Sequence, residues 1–172
     1  MKKHGVAILG FGVVGGGVAD LLTNNREELI KNLNCEVEIK RILDLRDFPD
    51  SPFAELVTHN FDDVVNDASV DTVMEMMGGS HPAYEFTRAC LESGKNVVTA
   101  NKELVSTFGA ELCRIAAEHG VRYLFEASVG GGIPIIRPLI NDLSSNKITR
   151  ICGPHEQPYH GWSFCPKAEK QS

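Results

Sequence analysis

Apolar and polar positions alternate between two rhythms along the chain. The short apolar runs "GVAILG" (5–10), "VDTVMEMM" (70–77) and "KNVVTA" (95–100) have the character of strands buried on both faces. "VEIKRILDL" (37–45) alternates as a further strand, and "VRYLFEASV" (121–129) and "ITRICG" (148–153) read as two more. Between these runs the apolar period lengthens. Val18, Leu21, Leu22, Leu29, Ile30 and Leu33 place a helix over 16–33. "PAYEFTRACLESG" (82–94) has Pro82 in its first turn and Gly94 past its end, and the helix over 102–120 also closes on a glycine. A short helical turn is expected over 61–67, and a short helix interrupted at Pro138 over 134–143. "RDFPDSPF" (46–53), with two prolines, is loop. Strands alternating with helices predict an α/β chain, a parallel sheet covered on both faces. Right-handed crossovers make that sheet doubly wound.

The first strand runs into "GFGVVG" (10–15), a G-x-G-x-x-G at the start of a helix. That context gives the spacing meaning, because it is the dinucleotide fingerprint of a Rossmann-like sheet. Gly10 permits the tight turn, and Gly12 leaves room for a pyrophosphate against the backbone. Gly15 allows the helix to lie close on the strand. Gly16 and Gly17 lie beyond the fingerprint, and close helix–sheet packing is the reading for them. The second strand ends in "ILDLRD". Asp44 there could accept from ribose hydroxyls, and Arg46 could accommodate a 2′-phosphate, so these residues leave NAD and NADP open. Three further motifs fall at the carboxyl ends of strands, where ligands bind in such sheets: "EMMGG" (75–79), "TANK" (99–102) and "EASVGGGIP" (126–134). Lys102 in the second reads either as a solvated helix start or as a functional cation. The three glycines of the last, hemmed by apolar residues, point to backbone approaching a ligand or ion.

Composition narrows the class. The 172 residues match one domain, with 42% hydrophobic and 23% charged residues. A net charge of −6 speaks against nucleic acid or an anionic membrane as partner. No apolar run approaches the ~20 residues of a membrane span. Lys2 and Lys3 before an apolar stretch raise a signal peptide, but the early glycines favour a first strand. The five cysteines are widely spaced with no C-x-x-C, and read as reduced thiols of a cytoplasmic protein. His155, His160 and Cys165 fit no standard metal spacing.

With "GFGVVG", "VVTANKELVS" and "FEASVGGGIPII" in this order, the chain resembles the homoserine dehydrogenases from about residue 5 to Gly153. The three motifs together are far more specific than the fingerprint alone. The resemblance implies NAD(P)H-dependent interconversion of L-aspartate 4-semialdehyde and L-homoserine, on the route to threonine, methionine and isoleucine. It implies that Gly10, Gly12, Val13, Val14 and Gly15 hold the pyrophosphate and that Arg46, in "LRD", contacts a 2′-phosphate. Met77 and Gly78 then approach the nicotinamide side of the cofactor. Asn101 and Lys102 match the family's TANK motif, whose lysine serves proton transfer. A monovalent cation, usually sodium, is implied at Glu126 and the carbonyls of Val129, Gly131 and Ile133.

Past Gly153 the resemblance stops. The family continues into a substrate and dimerisation domain, whereas here "PHEQPYHGWSFCPKAEKQS" follows. The expectation is therefore a dinucleotide-binding domain over 1–153 and a disordered, non-family tail over 154–172. The substrate domain and the contacts by which full-length members form homo-oligomers are then missing. Two functions from different classes stand: a homoserine dehydrogenase by descent, and an inactive dinucleotide-binding fragment.

Overall fold

The computed structural model describes residues 1–150. Its strands are β1 (Lys2–Leu9), β2 (Cys35–Leu43), β3 (Val57–Thr58), β4 (Thr72–Glu75), β5 (Asn96–Thr99) and β6 (Tyr123–Leu124). They form one sheet in the order β3-β2-β1-β4-β5-β6, and every pairing is parallel. This is the expected Rossmann-like, doubly wound α/β architecture. After β1 the chain moves outward through β2 and β3, then crosses back to lay β4 on the other side of β1. At that reversal the loops leaving β1 and β4 diverge and open a crevice at the carboxyl edge.

The apolar run that announced β1 is buried because it is the centre of the sheet. Val6, Ala7, Ile8 and Leu9 are at most 1% exposed. Ala7 and Leu9 face a core that includes Val64 of α3 (Asp62–Val65), Ala83, Cys90 and Leu91 of α4 (Ala83–Glu92), and Leu104 and Leu112 of α5 (Lys102–Glu118). Ile8 faces the other way, toward Ala19 of α1 (Val13–Asn24), Phe11 and Ile42. Each fully buried leucine of these layers contributes about 1.5–3 kcal/mol. No helix among the described residues is long and apolar enough to cross a membrane.

Several expected boundaries shift. The helix read over 16–33 begins at Val13 and divides at Asn25 into α1 and α2 (Arg26–Leu33), the latter burying no residue. The two-residue β3 is too short to leave a periodic signal. The strand read over 121–129 ends at Leu124, and Glu126–Gly130 forms α6 instead. The helical stretch read over 134–143 covers 136–142, and it changes from α-helix at 136–137 to a π-helix at Pro138. Pro138 stands in the first turn of the helical segment Pro138–Asp142, where its missing N–H has no role. Residues 148–150 are not in a strand, and the remainder of that expected strand, with the tail 154–172, lies outside the described residues.

Candidate functional site

The glycine loop is fixed by its neighbours on both sides of the strand reversal. Gly10 sits at φ +89°, and its N–H donates to the Leu43 carbonyl at 2.8 Å. A side chain there would meet the Met76 carbonyl and Met77 Cγ at 3.0 Å. Gly15 answers to a harder constraint. A Cβ on it would lie 1.9 Å from the Gly10 carbonyl oxygen and 3.3 Å from Ile8 Cγ2, so α1 rests at backbone distance on the turn that ends β1. Gly16 and Gly17 do not share this role. A Cβ on either meets nothing within 4 Å, so the packing reading for them is corrected.

Gly12 is exposed, and the nearest atom to a Cβ on it is Arg46 Nη2 at 4.0 Å. Beyond it, α1 has no side-chain cap and no acidic residue in its first turn. Its first backbone bond runs from the Gly16 N–H to the Gly12 carbonyl at 2.8 Å, and among the described residues the N–H groups of Val13, Val14 and Gly15 have no partner. Such a helix start presents donors and partial positive charge, a ready seat for an anion.

A cleft of about 520 Å³ opens beside this loop. It is lined by Gly10, Gly12, Asp44, Arg46, Met77 and Gly78 together with His59, Phe61, Pro82 and Phe86, among others. It thus brings together five of the residues expected to meet a cofactor: Gly10, Gly12, Arg46, Met77 and Gly78. At one end Asp44 is fully engaged. Its carboxylate accepts the Phe11 N–H at 2.7 Å, the Arg46 N–H at 3.0 Å and the Arg46 guanidinium at 2.9 and 3.0 Å. The Arg46 guanidinium, followed by burial working the other way and the Phe11 N–H, holds the Asp44 carboxyl at about 2. Asp44 therefore anchors the loop and aims Arg46, while the exposed guanidinium, 5.1 Å over the Phe48 ring, remains presented to the cleft.

Outside the lining of the cleft, one position before Met76, stands a residue that the sequence reading did not single out. Glu75 ends β4 and is fully buried. Its Oε1 accepts the Met77 N–H at 2.8 Å and the Asn101 amide at 3.4 Å, and its Oε2 accepts the Thr99 hydroxyl. Burial pushes the Glu75 carboxyl up, against these bonds. Asn101 donates to the Gly79 carbonyl at 2.7 Å and caps α5 by accepting the Leu104 N–H at 3.1 Å. Both ends of its amide are thus engaged within the protein, and it sets where Lys102, the exposed first residue of α5, begins. Lys102 makes no ion pair among the described residues. Glu75 was visible as the one acidic residue in the apolar run "VMEMM", where a core side chain was due.

Glu126, Val129, Gly131 and Ile133 lie on α6 and the turn after it, outside the lining of the cleft. The Glu126 carboxylate accepts the N–H groups of Ile135, Ile136 (2.8 Å) and Arg137 (3.0 Å), with the Ile135 N–H doing most to hold its pKa down. The carbonyls of Val129, Gly131 and Ile133 accept no backbone N–H among the described residues.

A glycine loop, an uncapped helix start and a cleft at the strand reversal together suit an elongated ligand carrying phosphates, the arrangement of dinucleotide-binding domains. The family model described as "Homoserine dehydrogenase, NAD binding domain" matches residues 10–126. Homoserine dehydrogenase of Bacillus subtilis is 41% identical over 158 residues, which are 89% of this chain and 36% of that protein. That of Lactococcus lactis is 40% identical over 154 residues, 86% of this chain and 36% of that protein. The crystal structure of a homoserine dehydrogenase from Thiobacillus denitrificans superposes with a TM-score of 0.77 at 40% identity, covering 85% of this chain and 34% of that one. The chain belongs to the homoserine dehydrogenase family, through its NAD-binding domain. It spans about a third of the length of these relatives.

Proposed function

We propose that the chain is the cofactor-binding part of a homoserine dehydrogenase that interconverts L-aspartate 4-semialdehyde and L-homoserine, in the cytoplasm, on the route to threonine, methionine and isoleucine. The observation that carries this reading is the cleft at the β1/β4 reversal, with Gly12 open toward it and an uncapped helix start beside it. The N–H groups of Val13, Val14 and Gly15 take the pyrophosphate. Arg46 takes the 2′-phosphate, which makes NADP the favoured form, because Asp44 is already committed to Phe11 and Arg46. Met77 and Gly78 flank the nicotinamide end, and the bound dinucleotide supplies the redox chemistry. Lys102 stands by the aldehyde oxygen, where an ammonium stabilises the developing negative charge and donates the proton. A sodium ion is held by Glu126 and the carbonyls of Val129, Gly131 and Ile133, oxygen donors suited to a hard cation. The substrate is a small molecule, and in the assembled enzyme the partner is a second copy.

Replacing Gly12 by valine tests the reading. Its side chain fills the space over which the pyrophosphate must lie, so NADPH affinity, followed by nucleotide fluorescence, is expected to fall at least about tenfold, or about 1.4 kcal/mol. Unchanged affinity removes the loop from the site.

A second reading, a dinucleotide-binding fragment, concerns these 172 residues tested by themselves. Spanning about a third of their relatives, they bind the dinucleotide without turning over substrate.

A further inference from the structure

We propose that His59 reads the same phosphate as Arg46, as an imidazolium, so that the preference for the phosphorylated dinucleotide weakens as pH rises. This rests on the dinucleotide reading above. His59 follows β3 and lines the cleft together with Arg46. Its Nδ1 lies 2.7 Å from the Asp44 carbonyl oxygen and its Nε2 3.0 Å from the Asp47 carboxylate. Both partners are acceptors, so each ring nitrogen must carry a proton to serve them, and the arrangement holds the cationic ring. The Asp44 carbonyl first, and Asp47 second, raise the His59 pKa from its ordinary value, so the ring keeps its charge to higher pH than a free imidazole does.

The charged neighbours sort cleanly. Asp44 and Arg46, from the loop after β2, neutralise one another. Asp63 of α3 is tied to the Thr58 hydroxyl. Asp47, at 86% exposure, is the freest of them, and a phosphate oxygen can take its place at Nε2 while the Asp44 carbonyl keeps the ring oriented. Asp44 thereby sets two cations at one end of the cleft, a permanent one through its carboxylate and a titrating one through its carbonyl. A dinucleotide without the 2′-phosphate gains little from either.

The sign follows. Protonated His59 adds attraction for the phosphate below its pKa, and the attraction is lost as pH rises through it. The phosphate monoester has its own second pKa near ~6, so the useful window runs from about pH 7 to about pH 9, where it stays dianionic. The experiment measures NADPH and NADH dissociation constants for the 172-residue chain across that window, with His59→Gln, His59→Lys and Arg46→Ala alongside. The NADPH-over-NADH preference is expected to fall about threefold to tenfold with rising pH in the unsubstituted chain. It is expected to be low and flat in His59→Gln, high and flat in His59→Lys, and lowered at every pH in Arg46→Ala. A pH slope that survives in both His59 variants, or no slope in the unsubstituted chain, overturns the role of His59 alone. Failure of the unsubstituted chain to bind either dinucleotide overturns the cofactor reading itself.

Discussion

Substituting alanine for Gly15 and for Gly17 is expected to move stability in opposite directions, although both lie on the first turns of one helix. At Gly15 the new Cβ falls 1.9 Å from a backbone oxygen, so α1 or the Gly10 turn must shift. Overpacking of that kind costs about 1–3 kcal/mol, which in a domain of this size lowers Tm by roughly 2–12 °C. The same shift displaces the donors of Val13 and Val14, and NADPH binding is expected to weaken by more than about tenfold. At Gly17 the Cβ meets open space, and alanine is the better helix former by about 1 kcal/mol. Thermal denaturation with and without NADPH checks both. Equal Tm values for the two variants remove the close approach of α1 to the Gly10 turn as the reason for Gly15.

The 172-residue polypeptide is expected to show no measurable turnover with saturating NADPH and aspartate semialdehyde. On the proposed reading the substrate is clamped against Lys102, and these 172 residues span only 36% of the relatives' length. Orientation contributes up to about 7–11 kcal/mol to such a reaction, so a lysine and a cofactor without that clamp leave rates many orders of magnitude down. Nucleotide binding without oxidation of NADPH, in one cuvette, separates a competent domain from an unfolded one. Turnover within about a hundredfold of a full-length relative contradicts the expectation.

Much of this was legible in the sequence, for physical reasons. Strands buried on both faces advertise themselves as unbroken apolar runs, so β1, β4 and β5 were plain. The glycine loop was plain because Gly10 and Gly15 are each forced, one by a positive φ and one by a backbone contact. What escaped is what period cannot carry. β3 has two residues, and His59, just beyond it, escaped with it. α6 was read as strand because "LFEASV" alternates, while the Glu126 carboxylate that gathers the N–H groups of residues 135–137 reaches across a loop. That the Asp44 carboxylate is engaged by the Phe11 N–H, across the glycine loop, leaves no mark in the sequence.

Glu75 has a consequence for how this domain can change. One carboxylate fastens the Met77 stretch through its N–H and the Thr99–Asn101 stretch through a hydroxyl and an amide. The segment that lines the cleft through Met76, Met77 and Gly78 and the segment that launches α5 are therefore one epistatic unit. A substitution in residues 76–79 alters the footing of residues 99–102, and the reverse. Paired changes across the two are expected to depart from additivity by about 0.5–3 kcal/mol in double-mutant cycles. Pairs between either segment and Arg46, whose anchor is Asp44, are expected to add simply. On the proposed reading, selection can thus retune which dinucleotide the domain prefers without disturbing Lys102, but it cannot move residues 76–79 alone.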